Sequence, residues 1–235
     1  MIDIKNVNKK FGKLHVLKDI SVQIKKSNSV ALLGPNASGK TTFIKCLLGM
    51  LIPDSGTIEI NNQSIKGDYK YRNIIGYMPQ IGRYPQNMTI EQVFDMILEI
   101  RKTALSSADT ELMEAFGLKA LFSKRMGTLS GGTTQKVSAC LAFLFSPEII
   151  ILDEPTAGLD PLSSEILKEK IKHERSKGKI ILITSHILSE LDEMVSEIMY
   201  LREGNLVFHS GIEELQSRTG EKSVSKVITS ILKTL

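Results

Sequence analysis

What the chain lacks narrows its role first. Charge of one sign is in short supply: the net charge is +4 and the basic residues form no dense block, so no nucleic-acid partner is expected. Long apolar runs are missing too. The most apolar stretch, 139–152, is broken by Ser146, Pro147 and Glu148, too interrupted to span a bilayer. Asp3, Lys5 and Asn6 interrupt the start, so no secretory leader is expected, and any membrane would be reached through a partner. Cysteine is limited to Cys46 and Cys140, which read as small core residues in a reducing cytoplasm rather than a disulfide or a metal pair. There is no internal repeat and no low-complexity segment. What remains is an ordinary globular composition, 42% apolar and 24% charged over 235 residues. That length suits one large α/β domain or a domain with a subdomain.

The strongest positive signal is Gly34-Pro35-Asn36-Ala37-Ser38-Gly39-Lys40-Thr41-Thr42. The apolar run Val30-Ala31-Leu32-Leu33 precedes it, and Phe43, Ile44, Leu47, Leu48 and Leu51 follow at helical spacing. A strand, a glycine-bounded turn ending in Gly-Lys-Thr, and a helix form the setting a phosphate-binding P-loop needs. The glycines let successive N–H groups point inward at phosphate, and the helix sets its positive end beneath the same anion. Lys40 would reach the β/γ-phosphates, and the Thr41 hydroxyl would coordinate Mg²⁺. The competing reading is a glycine turn before an ordinary helix, which explains neither the full motif nor both flanks.

Around this loop the pattern is α/β. Residues 2–7 and 20–24 alternate apolar and polar, with turn material at 9–13, an antiparallel start with one exposed face. Strands are expected at 57–60 and 74–78. Thr89 with Gln92 three residues on is a capping box, opening a helix striped by Ile90, Val93, Phe94, Ile97 and Leu98. A further helix is expected at 107–116 with Gly117 as its stop. No strand signal appears between about 84 and 146, which reads as a helical insert. The rhythm resumes with a strand at 149–152 and a helix opened by Asp160 at the N-cap and Pro161 at N1. A strand at 180–183, a helix at 189–195 and a hairpin of 198–201 and 206–208 complete it. The expected division is a domain over 1–218, with the insert inside it, and an amphipathic helix over 219–235.

Two further motifs carry chemistry. Ile149-Ile150-Ile151-Leu152 ends in Asp153-Glu154, placing two carboxylates at the C-terminal end of a buried strand, where α/β sheets bind ligands. Asp153 would hold the hydration shell of Mg²⁺ and Glu154 would orient or deprotonate a water. Leu129-Ser130-Gly131-Gly132 then opens a helix carrying Val137, Cys140, Leu141 and Leu144. Ser130 can cap that helix while Gly131 and Gly132 expose backbone N–H groups, a second anion site. A flexible linker is the competing reading. Two phosphate-binding elements imply either two ligands or one ligand held between two chains.

In this order, the motifs and an isolated histidine make residues 2–211 resemble the nucleotide-binding domain of an ATP-binding-cassette (ABC) transporter. The resemblance implies an α/β P-loop NTPase (RecA-like) core with an N-terminal antiparallel β subdomain and an inserted α-helical subdomain, acting as a Mg-dependent ATPase. Phe11 sits where the family stacks an aromatic on adenine. Gln80, in Gly76-Tyr77-Met78-Pro79-Gln80, would contact Mg²⁺ and the water. Asp160 belongs to the loop that crosses the dimer interface, and His186, in Thr184-Ser185-His186, would touch the γ-phosphate. Ser130 and Gly132 of one chain would close over ATP held by the other, which resolves the two-element question. A homodimer, or a heterodimer with a second ABC ATPase, would drive an integral membrane permease from the inner face of the cell membrane. His15, His173 and His209 have no comparable setting and are expected at the surface.

Thr133 and Thr134 depart from the family pattern, standing where glutamine and arginine are usual. The Gly158-Leu159-Asp160-Pro161 stretch, the short insert and the compact hairpin resemble exporter ATPases, most of all the one serving nitrous-oxide reductase maturation or a gliding-motility relative. Residues 81–98, with Tyr84, Pro85, Met88 and Phe94, are expected to line a groove for a permease helix. In the tail, Val224, Val227, Ile228, Ile231, Leu232 and Leu235 share one helical face, packed either on their own domain or on a partner. The alternative function is a non-transport ABC ATPase acting mechanically on another macromolecule. Those relatives have long coiled coils or paired cassettes, and neither is present here.

Overall fold

A computed structural model of the chain describes residues 1–192 and 194–233. In order, the elements are β1 (Ile2–Phe11), β2 (Leu14–Ile24), β3 (Ser29–Leu33), α1 (Lys40–Leu47), β4 (Ser55–Ile60), β5 (Gln63–Ser64) and β6 (Ile75–Met78). Then follow α2 (Ile90–Arg101), α3 (Glu111–Ala115), α4 (Gly131–Phe143), β7 (Ile149–Asp153), α5 (Pro161–Ser176), β8 (Ile180–Thr184), β9 (Glu197–Arg202), β10 (Asn205–Gly211), α6 (Ile212–Thr219) and α7 (Val224–Leu232).

Two sheets result. One is antiparallel, β2-β1-β4-β5. The other runs β10-β9-β3-β8-β7-β6, parallel except for the edge strand β10. The central strands β3, β7 and β8 are aliphatic on both faces because both faces are covered. Their alternation divides the core. Val30, Leu32, Ile149, Ile151, Ile180 and Leu182 pack with α1 and the antiparallel sheet. Ala31, Leu33, Ile150, Leu152, Ile181 and Ile183 pack on the other side with the helical insert and α5. Each buried aliphatic side chain contributes roughly 1.5–3 kcal/mol to this arrangement. Between β6 and β7 the described residues hold helices only, α2 to α4, joined by short 3-10 turns.

Several expectations need correction. β1 and β2 run well beyond 2–7 and 20–24, meeting in a tight turn at Gly12. Register shifts, with Asn6 and Asp19 at positive φ, disguise the period-two pattern. The helix at 107–116 breaks into a 3-10 turn at Leu105–Ser107 and the short α3, because Asp109 caps the backbone N–H of Glu111 at 3.2 Å. The helix at 189–195 is a 3-10 turn at Leu188–Glu190, and its residue Glu193 lies outside the described residues. There Asp192 accepts from the backbone N–H of Val224 at 2.5 Å, so it serves the α7 N-terminus. The closing hairpin turns on Glu203 and Gly204, both at positive φ, as a two-residue hairpin loop requires. In the tail, Val224, Val227, Ile228 and Ile231 are buried in the core of their own chain, with Leu232 half-buried against it. Leu235 lies outside the described residues.

Candidate nucleotide site

The P-loop leaves β3 and enters α1 through backbone that only glycine tolerates. A Cβ on Gly34 would lie 2.1 Å from the Leu201 carbonyl oxygen, and one on Gly39, at φ 108°, would lie 2.8 Å from that of Val16. The β9–β10 turn braces the loop further, Gly204 N–H donating to the Ser38 carbonyl at 3.1 Å. Lys40 donates to the carbonyls of Gly34 (2.6 Å) and Pro35 (3.0 Å). Burial lowers its pKa, opposed by the charges of Glu154 and Asp153, so the loop and the carboxylate strand act on the same ammonium. Ser38 Oγ is buried without a hydrogen-bond partner inside the loop, an orphaned polar atom that an anion's oxygens would satisfy. Pro35, Asn36, Ala37 and Thr41 are exposed, Thr42 less so.

At the end of β7, Asp153 and Glu154 are held by a residue not anticipated as functional. Thr184, the last residue of β8, donates its hydroxyl to Asp153 Oδ1 at 2.5 Å and accepts from Glu154 N–H at 3.1 Å. Glu154 N–H also reaches the Thr184 carbonyl at 3.2 Å. Glu154 itself is buried and sits at φ 53°, a left-handed conformation that costs a glutamate roughly 1–3 kcal/mol. Its carboxylate accepts from the His186 backbone N–H at 3.1 Å, and its other oxygen lies 3.3 Å from His186 Nε2. His186 is more than half exposed, its ring open to an approaching ligand. The only sequence signal for Thr184 was its place as the strand's final residue before Ser185-His186.

Gln80 lies exposed just beyond β6, the neighbour of β7. Phe11 ends β1 paired with Leu14, two residues before the Val16 carbonyl that abuts Gly39. Its ring is 47% exposed with Lys9 Nζ 5.6 Å from the centroid, so it has a free face for stacking rather than a place in the core.

The Ser130 turn is built as a helix cap. Ser130 Oγ accepts from Thr133 N–H at 3.3 Å and lies 3.0 Å from Thr133 Oγ1, while Thr134 donates to the Ser130 carbonyl at 3.2 Å. The two threonines therefore close the turn locally. The turn packs on the loop after Glu154: a Cβ on Gly132 would meet the Gly158 carbonyl oxygen at 2.7 Å. Asp160 caps α5 by accepting from Ser163 N–H at 2.9 Å, and it pairs with Lys136 at 2.8 Å. The Lys136 ammonium and the Ser163 donors hold its carboxyl well below the usual carboxylate range. Sequence reading noted the lost basic residue at Thr134 and missed Lys136, two positions on.

Near the groove expected over 81–98 lies a cleft of about 340 Å³ lined by Tyr77, Arg83, Tyr84, Ile97, Arg101 and Phe145, among others, but not by Pro85 or Met88. Tyr84 belongs to it, with its hydroxyl 2.8 Å from Ser138. Phe94 does not: it is buried and stacked on Phe122 at 6.0 Å. His209, expected at the surface, is partly buried and bonded to Glu197 at 2.7 Å.

A P-loop and a two-carboxylate strand separated by one strand, β8, in a parallel sheet, with a helical insert carrying a capped Ser-Gly-Gly turn, define a P-loop ATPase cassette. The chain belongs to the ABC transporter family, whose pattern matches residues 17–157. It is an ATP-hydrolysing subunit of such a transporter. Among its relatives is the Nod factor export ATP-binding protein I of Burkholderia orbicola, 31% identical over 210 residues, 88% of this chain and 69% of that protein. Another is the linearmycin resistance ATP-binding protein LnrL of Bacillus subtilis, 30% identical over 98% of this chain and 75% of that protein. A solved structure of the ATP binding subunit of an ABC transporter superposes with a TM-score of 0.90 at 26% identity, covering 99% of each chain. The dimeric post-hydrolysis cassette MJ0796 bound to ADP and Pi shares the fold, with a TM-score of 0.80 at 23% identity over 90% of this chain and 99% of that one. None of the helices among the described residues is long and apolar enough to cross a membrane.

Proposed function

We propose that two copies of this chain, or one copy and a second ABC ATPase, enclose two ATP molecules and drive a separate integral membrane subunit that performs export. The observation that carries the reading is the gathering of Lys40, Asp153 and the buried Glu154 beyond the C-terminal ends of β3 and β7. The Ser130–Gly132 turn, which caps its own helix, supplies the remaining anion-binding N–H groups from the second chain.

In this reading ATP lies with adenine on Phe11 and its phosphates along 34–42, where Lys40 turns from the loop carbonyls to the β/γ-phosphates. Mg²⁺ suits the donors on hand: the Thr41 hydroxyl, the Asp153 oxygen that Thr184 leaves unused, and the Gln80 side chain are hard oxygen ligands. Bound there, it would neutralise charge on the β/γ-oxygens. Glu154 accepts a proton from the attacking water as the water oxygen bonds to the γ-phosphorus and the bridging oxygen leaves with ADP. His186 donates to the γ-phosphate, its ring set by Glu154 at 3.3 Å. The cleft between Tyr77, Arg83 and Arg101 takes a helix of the membrane subunit, with Gln80 beside it relaying occupancy, and this is what keeps the chain on the inner face of the membrane.

The test is Glu154→Gln with ATP. A stable nucleotide-bound dimer without turnover is expected, whereas turnover at the wild-type rate overturns the role of Glu154. For the partner, bulky and charge-reversing substitutions at Arg83 and Arg101 are expected to abolish co-purification with the membrane subunit, and unchanged co-purification refutes the docking cleft.

A further inference from the structure

The most deeply buried cation of the described residues takes no part in the chemistry above. Lys170, midway along α5, is 2% exposed. Its ammonium lies 2.6 Å from Asp109, 2.6 Å from Glu111 and 3.2 Å from Glu174. It also stands 6.0 Å from the centroid of the Phe143 ring. Asp109 and Glu111 belong to the helical insert and Phe143 closes α4, whereas Lys170 and Glu174 belong to the helix that follows the carboxylate loop. Asp109 is itself fixed, donating its N–H to the Leu144 carbonyl at 2.8 Å and capping Glu111 with its other oxygen. Behind Lys170, Glu174 is fully buried and paired with Lys177 at 2.7 Å and with Lys179. Burial opposes the charge on Lys170, but the hydrogen bonds from its ammonium to Asp109 and Glu111 outweigh it and keep the lysine protonated.

A buried ion pair of this kind is seldom a net source of stability, so the geometry it enforces is what it contributes. That geometry is the seating of the insert. α4 begins at the Ser130 cap and ends at Phe143, a rod of 13 residues spanning about 20 Å at the usual helical rise. A tilt of about 5° at the Phe143 end therefore moves the Ser130 end by about 1.7 Å. Misplacement of about 1 Å in an active site can cost about a hundredfold in rate. A second ion pair between the insert and the start of α5, Lys136 with the N-cap Asp160, is exposed on the aspartate side and holds far less.

We propose that Lys170 is a positioning residue for the Ser130–Gly132 turn, fixing the tilt of the helical insert on α5 so that the turn meets ATP on a second chain. The proposal rests on the reading that this turn closes the site in trans. Lys170→Met, Lys170→Arg and Asp109→Asn are compared with the wild-type protein for hydrogen exchange without nucleotide, for binding of a fluorescent ATP analogue, for kcat and KM, and for ATP-driven dimerisation in the Glu154→Gln background. Lys170→Met is expected to speed exchange at amides 126–134 about tenfold or more while amides 30–47 are unchanged. It is expected to lower kcat and dimerisation about fivefold or more with analogue affinity of the isolated chain within about twofold. Lys170→Arg restores most of both, and Asp109→Asn gives the same split at smaller size. Should Lys170→Met fail to fold, Asp109→Asn decides. Unchanged exchange at 126–134, or analogue affinity falling in step with dimerisation, overturns the proposal. Faster exchange in a protein whose wild-type form never dimerises with ATP instead refutes closure in trans and leaves the structural role of Lys170 standing.

Discussion

Replacing Thr184 with valine removes one hydroxyl and almost no volume, yet that hydroxyl holds the Asp153 carboxylate and the Glu154 backbone at the end of β7. It gives up a 2.5 Å donation to Asp153 Oδ1 and a 3.1 Å acceptance from Glu154 N–H. The Glu154 N–H keeps its 3.2 Å bond to the Thr184 carbonyl, so the larger loss falls on Asp153. A hydrogen bond to a charged group contributes about 1.5–3 kcal/mol, and Thr184 is 1% exposed, so water cannot replace the lost donor. The expected destabilisation is thus about 2 kcal/mol, or roughly 4–8 °C in Tm for a domain of this size. Asp153 then rotates more freely, and the Mg²⁺ concentration giving half-maximal ATPase activity should rise about tenfold, while Thr184→Ser stays near wild type. Calorimetry and a Mg²⁺ titration of ATPase activity read the two effects. Equal Tm and equal Mg²⁺ dependence in the valine variant would refute the claim that this hydroxyl organises the site.

Phe11→Ala should weaken ATP by about ten- to a hundredfold, since base stacking on an aromatic contributes about 1–3 kcal/mol; titration with ATP checks this, and an unchanged Kd removes Phe11 from the adenine site. Glu174 carries a pH dependence. Burial favours its neutral form, but hydrogen bonds from Lys177 and Lys179 and the charge of Lys170 prevail and lower its pKa from 4.5 to about 2. A depressed carboxylate stabilises the fold above its ordinary pKa and loses that contribution as pH falls through the native value. The stability difference between wild type and Glu174→Gln should therefore be largest above pH 4.5 and shrink toward pH 2, by up to roughly 3 kcal/mol. Denaturant melts across that window measure it, and a difference that does not vary with pH contradicts the network.

Much of the site was legible because its signals are local. The P-loop, the Asp153-Glu154 strand end, the Thr89–Gln92 capping box and the Asp160-Pro161 helix start are each written in a few consecutive residues. The capping box forms with both bonds in place, at 2.9 and 3.2 Å. What escaped reading depends on distant partners. Thr184 acts only because β8 pairs with β7, and Lys170 only because α5 meets Asp109 and Glu111. The strand lengths of β1 and β2 were hidden by their register shifts. The helix at 189–195 failed because Asp192 and Glu190 spend their carboxylates on Val224 and Thr156 instead of on the helix itself. Phe94 read as groove lining because periodicity shows that a face is apolar, not which neighbour covers it; Phe122 does.

The central claim is that Glu154, buried and held beside His186, turns over ATP enclosed between two chains. Sedimentation of Glu154→Gln with ATP tests it most directly. The account predicts a dimer that persists with two unhydrolysed ATP molecules and returns to monomer when ATP is removed. A variant that remains monomeric under saturating ATP, or that hydrolyses it at the wild-type rate, would contradict it.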